Sequence, residues 1–387
     1  MTAGPVPVTP HPVVVVDDSG VQRRFLRAAI EAEGEFVVVG EARNGKEAVA
    51  LVARLRPSAV VMDLDLPVMG GVEAIERIMC STATPILVYS AFVEGRDSDN
   101  AVSALAAGAV DVLAKPSPND HSSLDSYATA LRKRLRVVVR IRVITHPRGR
   151  LRAAAALRAG PQPDPFPMDS RPRATRMLAP PPDLAAARRE GVRLVVIGAS
   201  TGGPQALMTV LAALPSGLDA AVLVVQHMAE GFIAGLASWL DSGIAPQVTV
   251  GESGRRLEPG TVTIAPSGGN LLVADDRLRT LVTPPEPGQF HVPGIDATMV
   301  SVADTLGPEA IGVLLTGMGR DGAAGLLAMR DRGAFTVGQD EATSAVYGMP
   351  AAAVALDAVD RQLPIEQIGP ALAALLSVAG SAAASPR

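Results

Sequence analysis

The chain has 387 residues, 48% of them hydrophobic, one cysteine and a formal net charge of −4. That length suits two domains with full cores. The lone Cys80 excludes an internal disulfide and cannot build a zinc site with the scattered histidines, and the charge gives no general reason to expect nucleic-acid binding. No apolar stretch reaches the roughly 18 residues of a membrane span, and MTAGPVPVTPHP lacks a basic region followed by an apolar core. A cytoplasmic protein without membrane insertion is therefore expected.

The first region alternates short Val-rich runs with helix-like segments. VVVV (13–16), FVVVG (36–40), AVVMD (59–63), PILVYS (85–90) and AVDVLAK (109–115) are expected as parallel strands buried on both faces. VQRRFLRAAIEA and GKEAVALVARL lie between them as helices, and an amphipathic helix is expected over about 121–143. Five such units give a doubly wound α/β domain. Ligands of that fold gather at the carboxyl ends of strands, and polar groups accumulate there: Asp17, Asp18, Asp63, Asp65, Ser90 and Lys115. Converging carboxylates repel and so require a cation, and hard oxygen ligands favour Mg²⁺. A lysine at the same edge can neutralise a further anion such as phosphate.

VVVVDDS, VVMDLDLPVMGG, ILVYSA and GAVDVLAKP resemble the receiver domain of two-component response regulators, over residues 12–143. The resemblance implies a (βα)5 fold with Asp63 as phosphate acceptor. It implies that Asp17, Asp18 and Asp63 hold Mg²⁺ with the backbone carbonyl of Asp65, and that Ser90 and Lys115 contact the phosphoryl group. Two positions depart from the pattern: Val112, where receivers often carry an aromatic side chain, and Gly70, where many relatives have Asp.

Residues 144–190 carry the prolines of PQPDPFP and APPPD and many arginines, and read as a linker. Over 191–387 the alternation resumes. LVVIGAS, AVLVVQHM, TVTIAPS, NLLVADD, AIGVLLTGMG and AFTVGQD are expected as strands. PQALMTVLAAL, GFIAGLASWLDS and GAAGLLAMRDRG are expected as helices, giving a second α/β domain with a mainly parallel sheet.

GASTGGP (198–204) ends the first of these strands. It fits an exposed G-x-S-x-G nucleophile, a glycine-rich anion-binding turn, or a plain strand-to-helix turn. A nucleophilic Ser200 needs a base, and His227 ends a neighbouring candidate strand on the same sheet edge. The only other histidine of this half, His291, lies in the proline-rich TPPEPGQFHVPG. Asp321, in the glycine-rich turn after AIGVLL, can orient the base, and the turn's N–H groups are candidate oxyanion donors. Asp296, in PGIDATM, is the rival carboxylate and a candidate helix cap. The order Ser, His, Asp is not that of the α/β-hydrolases, and no Gly-Lys-Ser/Thr supports a P-loop.

GASTGGP, VVQHM, IAP, GMGRDG and GQDEATSAVYGMP together resemble the catalytic domain of the chemotaxis protein-glutamate methylesterases, over about 192–375. The resemblance implies a triad of Ser200, His227 and Asp321, with the Met318 N–H at the oxyanion site and Thr201 beside the nucleophile. It implies demethylation of glutamate methyl esters, and deamidation of glutamines, on the cytoplasmic helices of chemoreceptors, with no cofactor in this domain. The chemotaxis histidine kinase is the implied phosphodonor, and the unphosphorylated receiver is expected to cover the triad. A non-catalytic response-regulator scaffold and an esterase of a related, non-chemotactic pathway are the alternatives. Asn270, where relatives usually show His, and FHVPGIDA, in place of R-P-S-V-D, are expected to line the substrate groove.

Overall fold

The computed structural model describes residues 9–90, 96–116, 124–141, 191–229, 231–289 and 291–376, with the side chains of 96–99 left out. The chain divides into two compact units, 1–166 and 167–387. The expected linker lies outside the described residues.

Unit one holds five parallel strands: β1 (His11–Val16), β2 (Phe36–Ala42), β3 (Ala59–Met62), β4 (Ile86–Ser90) and β5 (Asp111–Ala114), in the order β2-β1-β3-β4-β5. Helices α1 (Gly20–Glu31), α2 (Gly45–Leu55), α3 (Gly71–Ser81), α4 (Arg96–Ala106) and α5 (Leu124–Val138) alternate with them. The Val13–Val16 and Ala59–Met62 side chains are all buried, which is why these strands read as unbroken apolar runs. Helix α5 ends at Val138, before the expected 143, and the expected residues 121–123 lie outside the described residues. Past Val138 the chain tightens into bonds from Arg140 N–H to Val137 O and from Ile141 N–H to Val138 O, the three-residue spacing that closes a helix end. Asn44 caps α2 by accepting the Glu47 N–H, whereas Gly70 at the start of α3 offers no side-chain cap.

Unit two is built on a seven-stranded parallel sheet in the order β14-β13-β12-β6-β7-β9-β8. Its strands are β6 (Leu194–Ala199), β7 (Ala221–Gln226), β8 (Gln247–Val250), β9 (Thr261–Ile264), β12 (Ala310–Leu314), β13 (Phe335–Gln339) and β14 (Arg361–Leu363). Val195 and Ile197 of β6 enter one apolar core with Leu207, Leu236 and Leu372. Leu194 and Val196 enter the other, with Met299 and Leu326. The helices are α6 (Gly203–Leu211), α7 (Ile233–Gly243), α8 (Ile295–Leu306), α9 (Ala323–Asp331), α10 (Met349–Ala355) and α11 (Ile365–Leu375). NLLVADD does not join this sheet. Its strand β10 (Asn270–Val273) pairs antiparallel with β11 (Thr280–Thr283) in a separate hairpin. The short turn between them, with Leu278 at φ 61, is too brief for a parallel crossover.

After β6 the chain lays down β7, β8 and β9 on one side, in the spatial order β7-β9-β8, while β12, β13 and β14 lie on the other. The carboxyl ends of the paired strands β6 and β12 thus mark the point where strand order reverses, the usual ligand position in an open α/β sheet.

Candidate functional site

Ser200 is the first residue beyond β6 and His227 the first beyond β7. The last paired positions of these strands are Ala199 and Gln226, and the His227 N–H donates to Ala199 O at 3.0 Å. Neighbouring strands lie about 4.8 Å apart, so the next residues on the two stand side by side. On the other flank the Ser200 N–H donates to Thr316 O, just past β12, at 3.0 Å. Gly202, at φ 75, turns the chain into α6. A β-carbon there would also fall 2.5 Å from Ala345 Cβ, so this turn needs glycine for conformation and for space.

Asp321 meets the imidazole directly, its Oδ2 lying 2.7 Å from His227 Nε2. The carboxylate also accepts N–H groups of Ile295 (2.9 Å), Asp296 (3.0 Å) and Gly322 (3.0 Å). Two of these belong to the first turn of α8, whose dipole favours an anion. Burial alone raises the Asp321 carboxyl, but His227 and the backbone donors outweigh it and bring the pKa down to about 2. Asp296, the rival, does not face the base. Its Oδ1 accepts the Gly325 N–H at 2.6 Å, tying α8 to α9, and burial followed by the charge of Asp321 raises its pKa.

Because a carboxylate only accepts, His227 Nε2 carries the hydrogen and Nδ1 keeps its lone pair. Nδ1 is buried and has no hydrogen-bond partner among the described residues. No hydrogen bond joins it to Ser200 Oγ in this structure; such bonds are often long before substrate binds.

The 317–319 turn packs against the serine. A β-carbon at Gly317 would lie 2.7 Å from Ser200 Cβ and 2.2 Å from Met349 Sδ. The Gly317 N–H is spent on Val346 O, and Gly317 O accepts the Met349 N–H. The Met318 N–H makes no hydrogen bond among the described residues. The segment around Tyr347 and Gly348 therefore serves as a brace for this turn.

Two features were not legible in the sequence. The His291 ring stacks on that of His227, with centroids 4.5 Å apart and planes 10° from parallel. Asn270 is only 2% exposed and does not line a groove. Its amide exchanges hydrogen bonds with Gln289 (2.9 and 2.8 Å) and accepts the Gly294 N–H at 2.8 Å, so it anchors the loop carrying His291. Both contacts join residues of one loop to distant strand ends, for which no local pattern exists.

In unit one, Asp17, Asp18 and Asp63 place ligand oxygens within 4.8 Å of one another. This cluster suits a metal ion; the Asp65 side chain is exposed and lies outside it. Lys115 Nζ donates to Asp17 Oδ2 (2.9 Å) and Asp63 Oδ2 (2.8 Å). One lysine against three carboxylates leaves net negative charge, which is the physical case for a cation. Ser90 is buried at the end of β4, and its carbonyl accepts the Lys115 N–H.

Burial pushes the Asp63 carboxyl up to about 6; Lys115 opposes the shift and Asp17 adds to it. The folded state thus holds this proton more tightly than the unfolded chain, whose value is about 3.9. Stability from this group is complete below about pH 4 and is lost as the pH climbs through about 6. In metal-free buffer, Asp63→Asn therefore gains melting temperature relative to the parent between these pH values. A difference that stays constant over the range contradicts this.

Among the described residues, no helix is long and apolar enough to cross a membrane. A family model described as CheB methylesterase matches residues 195–372, and a response regulator receiver domain model matches 13–124. Protein-glutamate methylesterase/protein-glutamine glutaminase 3 of Paramagnetospirillum magneticum is 43% identical over 369 residues, covering 95% of this chain and 96% of that protein. The corresponding protein 1 of Cupriavidus pinatubonensis is 42% identical, covering 93% and 96%. The crystal structure of the Thermotoga maritima CheB methylesterase catalytic domain is 34% identical, with a TM-score of 0.46, and covers 47% of this chain and 98% of that one.

Proposed function

The chain belongs to the CheB methylesterase family, and from that membership we propose how it acts as a protein-glutamate methylesterase and protein-glutamine glutaminase. Ser200 is the nucleophile, His227 the base and Asp321 the orienting carboxylate. The observation that carries the reading is the buried, unpartnered Nδ1 of His227, held as an acceptor because Nε2 donates to Asp321.

The substrate is the methylated glutamate of a chemoreceptor's cytoplasmic helix. Ser200 Oγ attacks the ester carbonyl while Nδ1 takes the serine proton. The Met318 N–H receives the developing oxyanion. The imidazolium is stabilised by Asp321 and passes the proton to the leaving methanol. Water, activated by the same nitrogen, then releases the glutamate. Glutamine follows the same course with ammonia leaving, and more slowly, because an amide is the harder bond to break.

Residues 1–143 are the receiver, 144–190 the linker and 191–387 the catalytic domain. Asp63 accepts phosphate from the chemotaxis histidine kinase. Mg²⁺ is the cation that the cluster takes, held by Asp17, Asp18, Asp63 and the Asp65 carbonyl; when bound it neutralises charge on the incoming phosphoryl group. Lys115 and Ser90 hold the phosphoryl oxygens. The phosphorylated receiver shifts the catalytic domain toward its active state.

The test supplies methyl-labelled receptor membranes to the full chain and follows volatile label. Methanol release is expected, faster with a small phosphodonor and Mg²⁺, and the increase disappears in Asp63→Asn. No release under any of these conditions contradicts the reading.

A further inference from the structure

Gln226 is the last residue of β7, and nothing in the proposed chemistry uses it. Its side chain is 1% exposed and sits between the strand ends that carry the nucleophile and the base. Nε2 donates to the carbonyl of Ser200 at 2.9 Å and to the carbonyl of His227 at 2.8 Å. Both amide hydrogens are thus committed to these two residues. The Ser200 carbonyl also accepts the Gly203 N–H at 2.7 Å, so the peptide leaving Ser200 is fixed by two donors.

The far end of the same amide is not satisfied. Oε1 is buried and has no partner among the described residues. A buried acceptor without a partner is unfavourable, and an apolar side chain of similar length would fill the space without that penalty. Packing alone does not explain a glutamine here. The pairing of β6 with β7 stops at Ala199 and Gln226; beyond it the His227 N–H still reaches Ala199 O, but among the described residues no backbone donor of the facing strand reaches the carbonyl of Ser200 or of His227. The amide supplies the missing rung from a side chain.

Gly203 belongs to the same device. A β-carbon on it would lie 2.0 Å from Gln226 Oε1 and 2.9 Å from Cδ. Gly203, the third glycine of GASTGGP, is therefore needed for space, whereas Gly202 is needed for its left-handed backbone as well as for space. We infer that Gln226, seated by the absence of a side chain at Gly203, is a positioning residue that fixes Ser200 against His227 for acyl transfer. The inference rests on the proposed roles of Ser200 and His227.

The test uses the full chain. Gln226→Met keeps the volume and removes the donor. It is expected to lower kcat for methanol release by about 10–100-fold with KM within about twofold, the loss typical of a misplaced catalytic pair. The rate of Ser200 modification by a fluorophosphonate, per folded molecule, falls in parallel. Trp239, the chain's one tryptophan, lies on α7, and its emission reports that the catalytic domain is folded. Gly203→Ala reproduces the loss by displacing the amide. In a Gln226→Ala background the same Gly203→Ala change costs little more, the non-additivity expected of one shared contact. Wild-type kcat and labelling in folded Gln226→Met overturn the inference, as do fully additive effects of Gly203→Ala and Gln226→Ala. If Ser200→Ala is inactive while Gln226→Met is normal, only this inference falls. If Ser200→Ala keeps its turnover, the triad reading falls with it.

Discussion

Ser200→Ala is expected to lower turnover for methanol release by about 10⁴–10⁶-fold with receptor binding retained. The size follows from what the hydroxyl does. Without it no acyl-enzyme forms, and His227 with the Met318 N–H is left to assist direct attack by water. The variant removes one atom from a half-buried side chain whose backbone is held by Thr316, Gly203 and Gln226, so the fold stays intact. Methanol release from labelled membranes measures the effect, and a rate within tenfold of the parent would remove the serine from the mechanism.

Asp321→Asn is expected to have the next largest effect, a loss of about 10³–10⁴-fold in kcat, in line with removal of the orienting acid of other serine hydrolases. Asp321 accepts four donors: His227 Nε2–H and the N–H groups of Ile295, Asp296 and Gly322. Oδ2 accepts from His227 and Ile295 and Oδ1 from Asp296 and Gly322, so an asparagine must turn its NH₂ toward one of these pairs, and the Oδ1 side would set it against two backbone N–H groups. The backbone N–H groups cannot become acceptors, whereas the imidazole can. The NH₂ therefore faces His227, Nε2 accepts, and the ring hydrogen moves to Nδ1, where it blocks proton transfer from Ser200. The substitution also removes the counter-charge of the imidazolium. Steady-state kinetics on the folded variant, with Trp239 emission as control, give the number. A loss below tenfold would show that the carboxylate does not set the tautomer.

Much of this site was written at strand ends. Parallel strands buried on both faces appear as unbroken apolar runs, and the first polar residue after each run lies on one shared edge; Ser200, His227, Asp17 and Asp63 were legible for that reason. The short sheet edges were not. β14 is a three-residue RQL with two exposed side chains, and β8 (QVTV) carries no apolar run. Both exist because a neighbouring strand offers a ladder, which a local pattern does not reveal. The same holds for the stacking of His291 on His227 and for the burial of Asn270. Periodicity also does not say which imidazole nitrogen meets the carboxylate. That choice is made by α8, whose first N–H groups pin Asp321 in place.

The most direct measurement of the central claim is peptide mapping of the full chain after partial inactivation by a fluorophosphonate, with methanol release followed in parallel. A single adduct on the peptide containing residue 200, formed in step with lost activity and absent in His227→Ala, is the predicted result. An adduct elsewhere that tracks the loss of activity, or full activity with residue 200 modified, would contradict it.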